Sequence, residues 1–126
     1  MLTARQACIT AAVFGAIGVG LGAFASHYLA DMLTDSHLNT FKTGTSYLQL
    51  HAVVMLLAGL CAFKWTDRRF LLAATGFGLG MFVFSGSLTI LAVTGISWLG
   101  ALAPVGGLIL ITSWLLLAAG FWRATN

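Results

Sequence analysis

Charged residues are so sparse along this chain that they cut it into apolar runs. Between Arg5 and His27 lie 21 uncharged residues, and another 21, with only His51 titratable near neutrality, separate Lys42 from Lys64. A third run, Phe70 to Trp122, holds 53 residues without a charge. A bilayer core of about 30 Å takes about 20 residues in helical form, so the first two runs each supply one span and the third is too long for one. Thr94-Gly95-Ile96-Ser97 breaks it in the middle, and Pro104 suits the first turn of a new helix, where its missing N–H is not needed. The pattern predicts four helices, about 5–26, 45–63, 70–93 and 99–122. The second is expected to begin earlier, near residue 35. Thr34 or Ser36 can cap it, and Leu38, Phe41, Thr45 and Leu48 then recur on one side with no proline or glycine pair to stop them. The expected architecture is an all-α membrane protein: one four-transmembrane-helix bundle over 1–126, with helix two extended outward by an interfacial segment.

Composition agrees with this pattern. The chain is 60% hydrophobic and 7% charged, whereas a water-soluble domain is about a quarter charged. Its net charge of +3 arises from a scarcity of acids, with no basic stripe, so no nucleic-acid partner is expected. The placement of the few cations carries topology. Arg5, Lys64, Arg68, Arg69 and Arg123 belong to the N-terminus, the second connection or the C-terminus, and Lys42 alone serves the other side. Both termini are therefore expected in the cytoplasm. Lys64 to Arg69 reads as a topology signal, with anionic-lipid contact as a secondary reading.

The end of the first run supports two readings. Ala23-Phe24-Ala25 before Ser26 has the small-x-small form of a signal-peptidase site. Against cleavage stands a stripe of small residues, Ala11, Gly15, Gly18, Gly22 and Ala25, at steps of four and three, which lets another backbone approach one helix side. A signal segment has no use for such a stripe, and a retained helix is favoured. Similar small-xxx-small faces, Ala73, Gly76, Gly80 and Ser87 in the third segment and Ala103, Gly106, Ser113 and Gly120 in the fourth, read as packing seams.

Candidate chemistry centres on His51, about six residues inside the second span. A titratable group at that depth faces the bundle interior and needs a partner. Tyr47 precedes it by one turn, and Ser85, Ser87 and Thr89 of the antiparallel third helix fall at similar depth by the 1.5 Å rise per residue. An outer-half polar cluster of His51, Tyr47, Ser85 and Ser87 is the expectation. The favoured role for His51 is structural, a neutral imidazole that fixes helix register, with a ligand or proton role as the alternative. His27, at the outer end of the first helix, is expected to cap terminal carbonyls or to pair with Asp31. No metal site is expected, because His27, His37 and His51 lack short ligand spacing, and Cys8 and Cys61 read as packing residues. Catalysis is not expected either. The only acids, Asp31, Asp35 and Asp67, lie at interfaces, and Ser85-Gly86-Ser87 reads as close packing rather than a nucleophile motif. No cofactor is expected.

A set of motifs spread over nearly the full length resembles one family. They are Gly22-Ala23-Phe24 with His27 and Leu29; Thr43, Tyr47 and His51-Ala52; Phe84-Ser85-Gly86-Ser87-Leu88; Thr94-Gly95; Leu99-Gly100; Pro104-Val105-Gly106-Gly107; and Trp114. The chain resembles the small bacterial inner-membrane proteins grouped as domain of unknown function 423. That pattern has Gly-Ala where this chain has Ala25-Ser26, a small-for-small change. The resemblance implies a four-helix protein of the bacterial inner membrane and brings no activity with it. Two functions stay open. One is a non-catalytic accessory subunit or assembly factor, touching lipid and a membrane-protein partner or a second copy; the other is a lipid-, quinone- or small-solute-binding or transport protein using the His51 cluster.

Overall fold

The computed structural model describes residues 1–124, and the last two residues of the expected 1–126 domain lie outside them. Four α-helices account for most of the chain: α1 (Ala4–His27), α2 (Asp35–Lys64), α3 (Arg68–Thr94) and α4 (Ala103–Ala124). All four are long and apolar enough to cross a membrane. Short 3₁₀ turns, Leu29–Asp31 and Ser97–Ala101, carry the chain between α1 and α2 and between α3 and α4.

Local chemistry sets the boundaries. Thr3 and Gln6 form a reciprocal capping box at the start of α1. Thr34, not Ser36, caps α2: its hydroxyl accepts from the His37 N–H at 3.3 Å. With that cap α2 runs unbroken for 30 residues, about 45 Å at 1.5 Å per residue, which is longer than a hydrocarbon core. Asp67 caps α3 by accepting from the Arg69 N–H at 2.8 Å and pairs with the Arg69 guanidinium at 3.3 Å. Gly95 ends α3 in the left-handed region at φ 70°, where the absence of a Cβ removes the steric penalty. The fourth helix starts later than its predicted position 99. The 3₁₀ turn takes Ser97 to Ala101, and Pro104 becomes the second residue of α4.

Neighbouring helices run antiparallel, as shown by which residues meet. Gly59 lies against Cys8 and Gly18 against Gln49 on the α1–α2 seam; Gly44 lies against Thr89 and Gly78 against Met55 on the α2–α3 seam. On the α3–α4 seam Gly120 meets Phe70, Gly80 meets Leu110 and Gly106 meets Phe84. The α2–α3 pair forms the centre, with α1 packed chiefly on α2 and α4 chiefly on α3. Phe70, Phe77, Met55 and Met81 fill the core, and alanines such as Ala7, Ala58 and Ala73 let the backbones close around them. Valines, leucines and phenylalanines on the outer surface, including Val19, Val53, Phe82, Leu108 and Leu115, are more than half exposed. A soluble protein would bury such residues; around a membrane-spanning set of helices they face lipid.

Candidate functional site

His51 is buried, 4% exposed, at the meeting of α2, α3 and α4. Because α2 is continuous there, the Tyr47 carbonyl sits one turn back and lies 2.8 Å from His51 Nδ1. Across the groove, the Trp114 indole N–H of α4 donates to His51 Nε2 at 3.3 Å. The partners assign the tautomer. A carbonyl can only accept and an indole N–H can only donate, so Nδ1 carries the proton and Nε2 presents its lone pair. Both ring nitrogens of a neutral imidazole are then occupied within the protein. Aromatic rings close the surroundings: Tyr47 stacks on His51 at 5.5 Å, Phe77 lies 5.8 Å away and Trp114 meets it edge-on at 6.2 Å. Phe84 packs on Tyr47 at 4.6 Å. A shallow groove of about 370 Å³ runs over this assembly, floored by Tyr47, His51, Phe84, Leu110 and Trp114.

Two of the expected cluster members do not hydrogen-bond His51. The Ser87 hydroxyl is buried and donates to the Phe84 carbonyl at 2.9 Å. Ser85 is buried and its hydroxyl has no hydrogen-bond partner. It lines a separate cavity together with Phe14 and Ile17 of α1, Leu48 of α2, and Phe82, Gly86 and Thr89 of α3. The reason is rotation. Phe84 faces the His51 groove, and successive residues on a helix diverge by about 100°, so Ser85 points to another sector. Depth alone made the two look adjacent.

His27 is the last residue of α1 and is exposed. Its expected pairing with Asp31 is replaced by a break in the helix: the chain turns into the 3₁₀ segment Leu29–Asp31, so Asp31 no longer follows one α-turn on. Among the described residues the one ion pair is Arg69–Asp67. Nor do the described residues place three His, Cys, Asp or Glu side chains around a common point.

The small residues of the seams differ among themselves. A Cβ on Gly18 would lie 2.7 Å from Gln49 Cγ, on Gly80 2.6 Å from Leu110, and on Gly106 2.5 Å from the Phe84 backbone nitrogen. On Gly76 it would collide with the Ser113 hydroxyl, and on Gly22 it would touch Gln49 at an ordinary 3.5 Å. Gly15 faces open space. The approach at Gly18 has a polar purpose: Gln49 Nε2 donates to the Gly18 carbonyl at 3.0 Å, tying α2 to α1. Gln49 and Trp114 were not among the residues singled out for chemistry. The signal for Gln49 was available, since it is the one amide side chain in the apolar run 43–63. Trp114 carried no local signal, because nothing in its spacing tells that its N–H faces α2.

With this geometry in view, comparison with known proteins gives a consistent result. Residues 21–107 match the family described as "Protein of unknown function (DUF423)". The chain is 37% identical over 115 residues to the UPF0382 membrane protein YwdK of Bacillus subtilis, covering 86% of this chain and 89% of the relative. It is 32% identical to a UPF0382 membrane protein of Haemophilus influenzae, covering 91% and 92% of the two chains. It is 30% identical to the UPF0382 inner membrane protein YgdD of Escherichia coli, covering 97% and 93%. No solved structure matches the chain.

Proposed function

The chain belongs to the DUF423 family of membrane proteins of unknown function, and we propose that it acts as a non-catalytic accessory subunit or assembly factor of an inner-membrane complex. The observation that carries this reading is the saturation of His51. A histidine that transfers protons or holds a ligand keeps a ring nitrogen for that purpose, and this one spends Nδ1 on the Tyr47 carbonyl and Nε2 on the Trp114 indole. It serves as a pin that fixes α4 against α2. The competing reading, a transporter or carrier built on the His51 cluster, also meets the separation of Ser85 from that groove.

A partner needs a surface, and α1 supplies one. It has the smallest buried share of the four spans, and Gly15 keeps room for an approaching backbone, whereas Gly18 and Gly22 are spent on α2. The partner is another membrane protein or a second copy of this chain. In the membrane both termini and the Trp65–Asp67 connection lie on the cytoplasmic side, following Lys64, Arg68, Arg69 and Arg123, and the first turns of α2 extend into the opposite interface.

The test is purification from native membranes in mild detergent, with mass spectrometry of what co-purifies. A protein at fixed stoichiometry, lost on Gly15→Ile while the variant keeps its thermal stability, is the expected result. Purification of the bare chain from every detergent tried, at native abundance, contradicts the accessory role.

A further inference from the structure

Lys64 closes the second apolar run, Arg68 and Arg69 precede the third, and Arg123 closes it. Three rings bring these cations, distant in sequence, to one end of the helices. Trp65 stacks on Phe70 at 5.5 Å and meets Phe121 edge-on at 6.0 Å, while Phe70 meets Phe121 at 5.2 Å. The connection between α2 and α3 is thereby held against the last turns of α4, where Gly120 lets Phe70 approach. Between connection and helix lies a pocket of about 350 Å³, lined by Trp65, Thr66, Asp67, Arg123 and Ala124.

The charge left over at this pocket is positive. Asp67 is already engaged through both carboxylate oxygens, accepting from the Arg69 N–H at 2.8 Å and from the Arg69 guanidinium at 3.3 Å. Lys64, Arg68 and Arg123 are exposed and form no ion pair among the described residues. Lys64 Nζ stands 4.7 Å over the Trp65 ring, a cation–π contact that keeps the ammonium beside the pocket's aromatic wall. Arg123 lines the pocket itself, and a guanidinium can present two parallel N–H groups to two oxygens of one anion. The exposed Thr66 supplies a hydroxyl as a further donor.

Position selects the anion. The pocket sits where the apolar runs end, and Phe63 and Trp122, both exposed beside it in sequence, are rings of the kind that mark a bilayer interface. Phospholipid phosphates lie at that level, and basic pockets between the ends of membrane helices suit anionic headgroups. Exposed apolar residues such as Leu60 of α2 and Leu115 of α4 continue from there into the core, where the acyl chains of such a lipid would run. An acidic protein segment would satisfy the cations and leave those faces to other molecules.

We propose that this pocket binds the headgroup phosphate of an anionic glycerophospholipid, with the Arg123 guanidinium and the Thr66 hydroxyl donating to its oxygens and Lys64 and Arg68 supplying the surrounding positive charge. Topology needs only the number of cations on one side of the membrane; the pocket gives four of them a place. The site is independent of the accessory role proposed above.

The test is native mass spectrometry of the full chain from micelles doped with phosphatidylglycerol and phosphatidylcholine of matched chains. Phosphatidylglycerol should be retained about five- to tenfold in preference. Arg123→Gln should lower that preference about fivefold, the worth of one cation near the surface, and Arg123→Lys should keep most of it. Arg5→Gln removes the same charge from outside the pocket and should leave the preference unchanged. Glycerophosphoglycerol, the headgroup without chains, should not displace the lipid. A photoreactive side chain installed at position 66 in native membranes should form its adduct with phospholipid. No preference for the anionic lipid, or an equal loss in Arg5→Gln and Arg123→Gln, would overturn the proposal. So would displacement by the chain-free headgroup, or an adduct at position 66 with a protein in place of lipid.

Discussion

Phe84 and Ser85 are neighbours in sequence and stand on two sides of α3 that have solved the same problem differently. On the Phe84 side, the His51 imidazole is matched to a carbonyl and an indole, and the Ser87 hydroxyl to a carbonyl. On the Ser85 side a hydroxyl is buried without a hydrogen-bond partner. In a bilayer, where each unmade hydrogen bond is costly, a saturated polar group holds helices together and an unsaturated one lowers stability. The saturated side contains the titratable residue that attracts attention in the sequence. The other side contains a serine that depth along the helix had assigned to the same cluster.

Substitutions on the two sides of α3 should differ in cost. The largest effect is expected on the saturated side's seam. Gly106→Leu would drive a side chain into the Phe84 backbone and separate α4 from α3, costing about 3 kcal/mol or more, read as a loss of folded protein in a thermal-melt or denaturant series. His51→Ala removes a buried ring and leaves the Trp114 N–H and the space around it unfilled. About 2 to 4 kcal/mol is expected, most of it packing, since hydrogen bonds between membrane helices average about 0.6 kcal/mol. His51→Phe should recover most of that loss, and full recovery would show that the ring outweighs its nitrogens. Gln49→Leu, which deletes one bond to the Gly18 carbonyl, should cost about 1 kcal/mol or less in the same assay. Smallest of all is Ser85→Ala, expected to be neutral or slightly stabilising because it removes an unpaired polar group. A melting temperature for Ser85→Ala as low as that of His51→Ala would erase the distinction between the two sides.

How much of this was legible in the sequence follows from what each inference used. Helix number, order and approximate bounds rest on gaps between charges and on Gly95, signals that a bilayer makes dominant, and they match α1 to α4 within a few residues. Pro104 signals the later start of α4, and the predicted bound of 99 overran it because apolar Leu99 and Ala101 look helical by composition, while the backbone spends them on a 3₁₀ turn ahead of Pro104. The burial of His51 followed from depth. Its partners did not, because rise along an axis gives height and says nothing of rotation: Ser85 shares the height of the groove and faces away from it. Among the glycines, spacing found some that meet a neighbour, such as Gly18 and Gly80, missed Gly44 and Gly59, and could not separate its finds from Gly15, which sits on the same stripe as Gly18 and meets none.

His51 is a pin between α2 and α4 with both ring nitrogens engaged inside the protein. The most direct measurement is ¹⁵N NMR of the histidine side chains in bilayers, with His51 assigned by comparison with His51→Gln. The account predicts a protonated Nδ1 and an unprotonated Nε2 at neutral pH, with the Nε2 resonance shifting on Trp114→Phe as its donor is lost. A doubly protonated ring, a proton on Nε2, or a resonance indifferent to Trp114→Phe would contradict it.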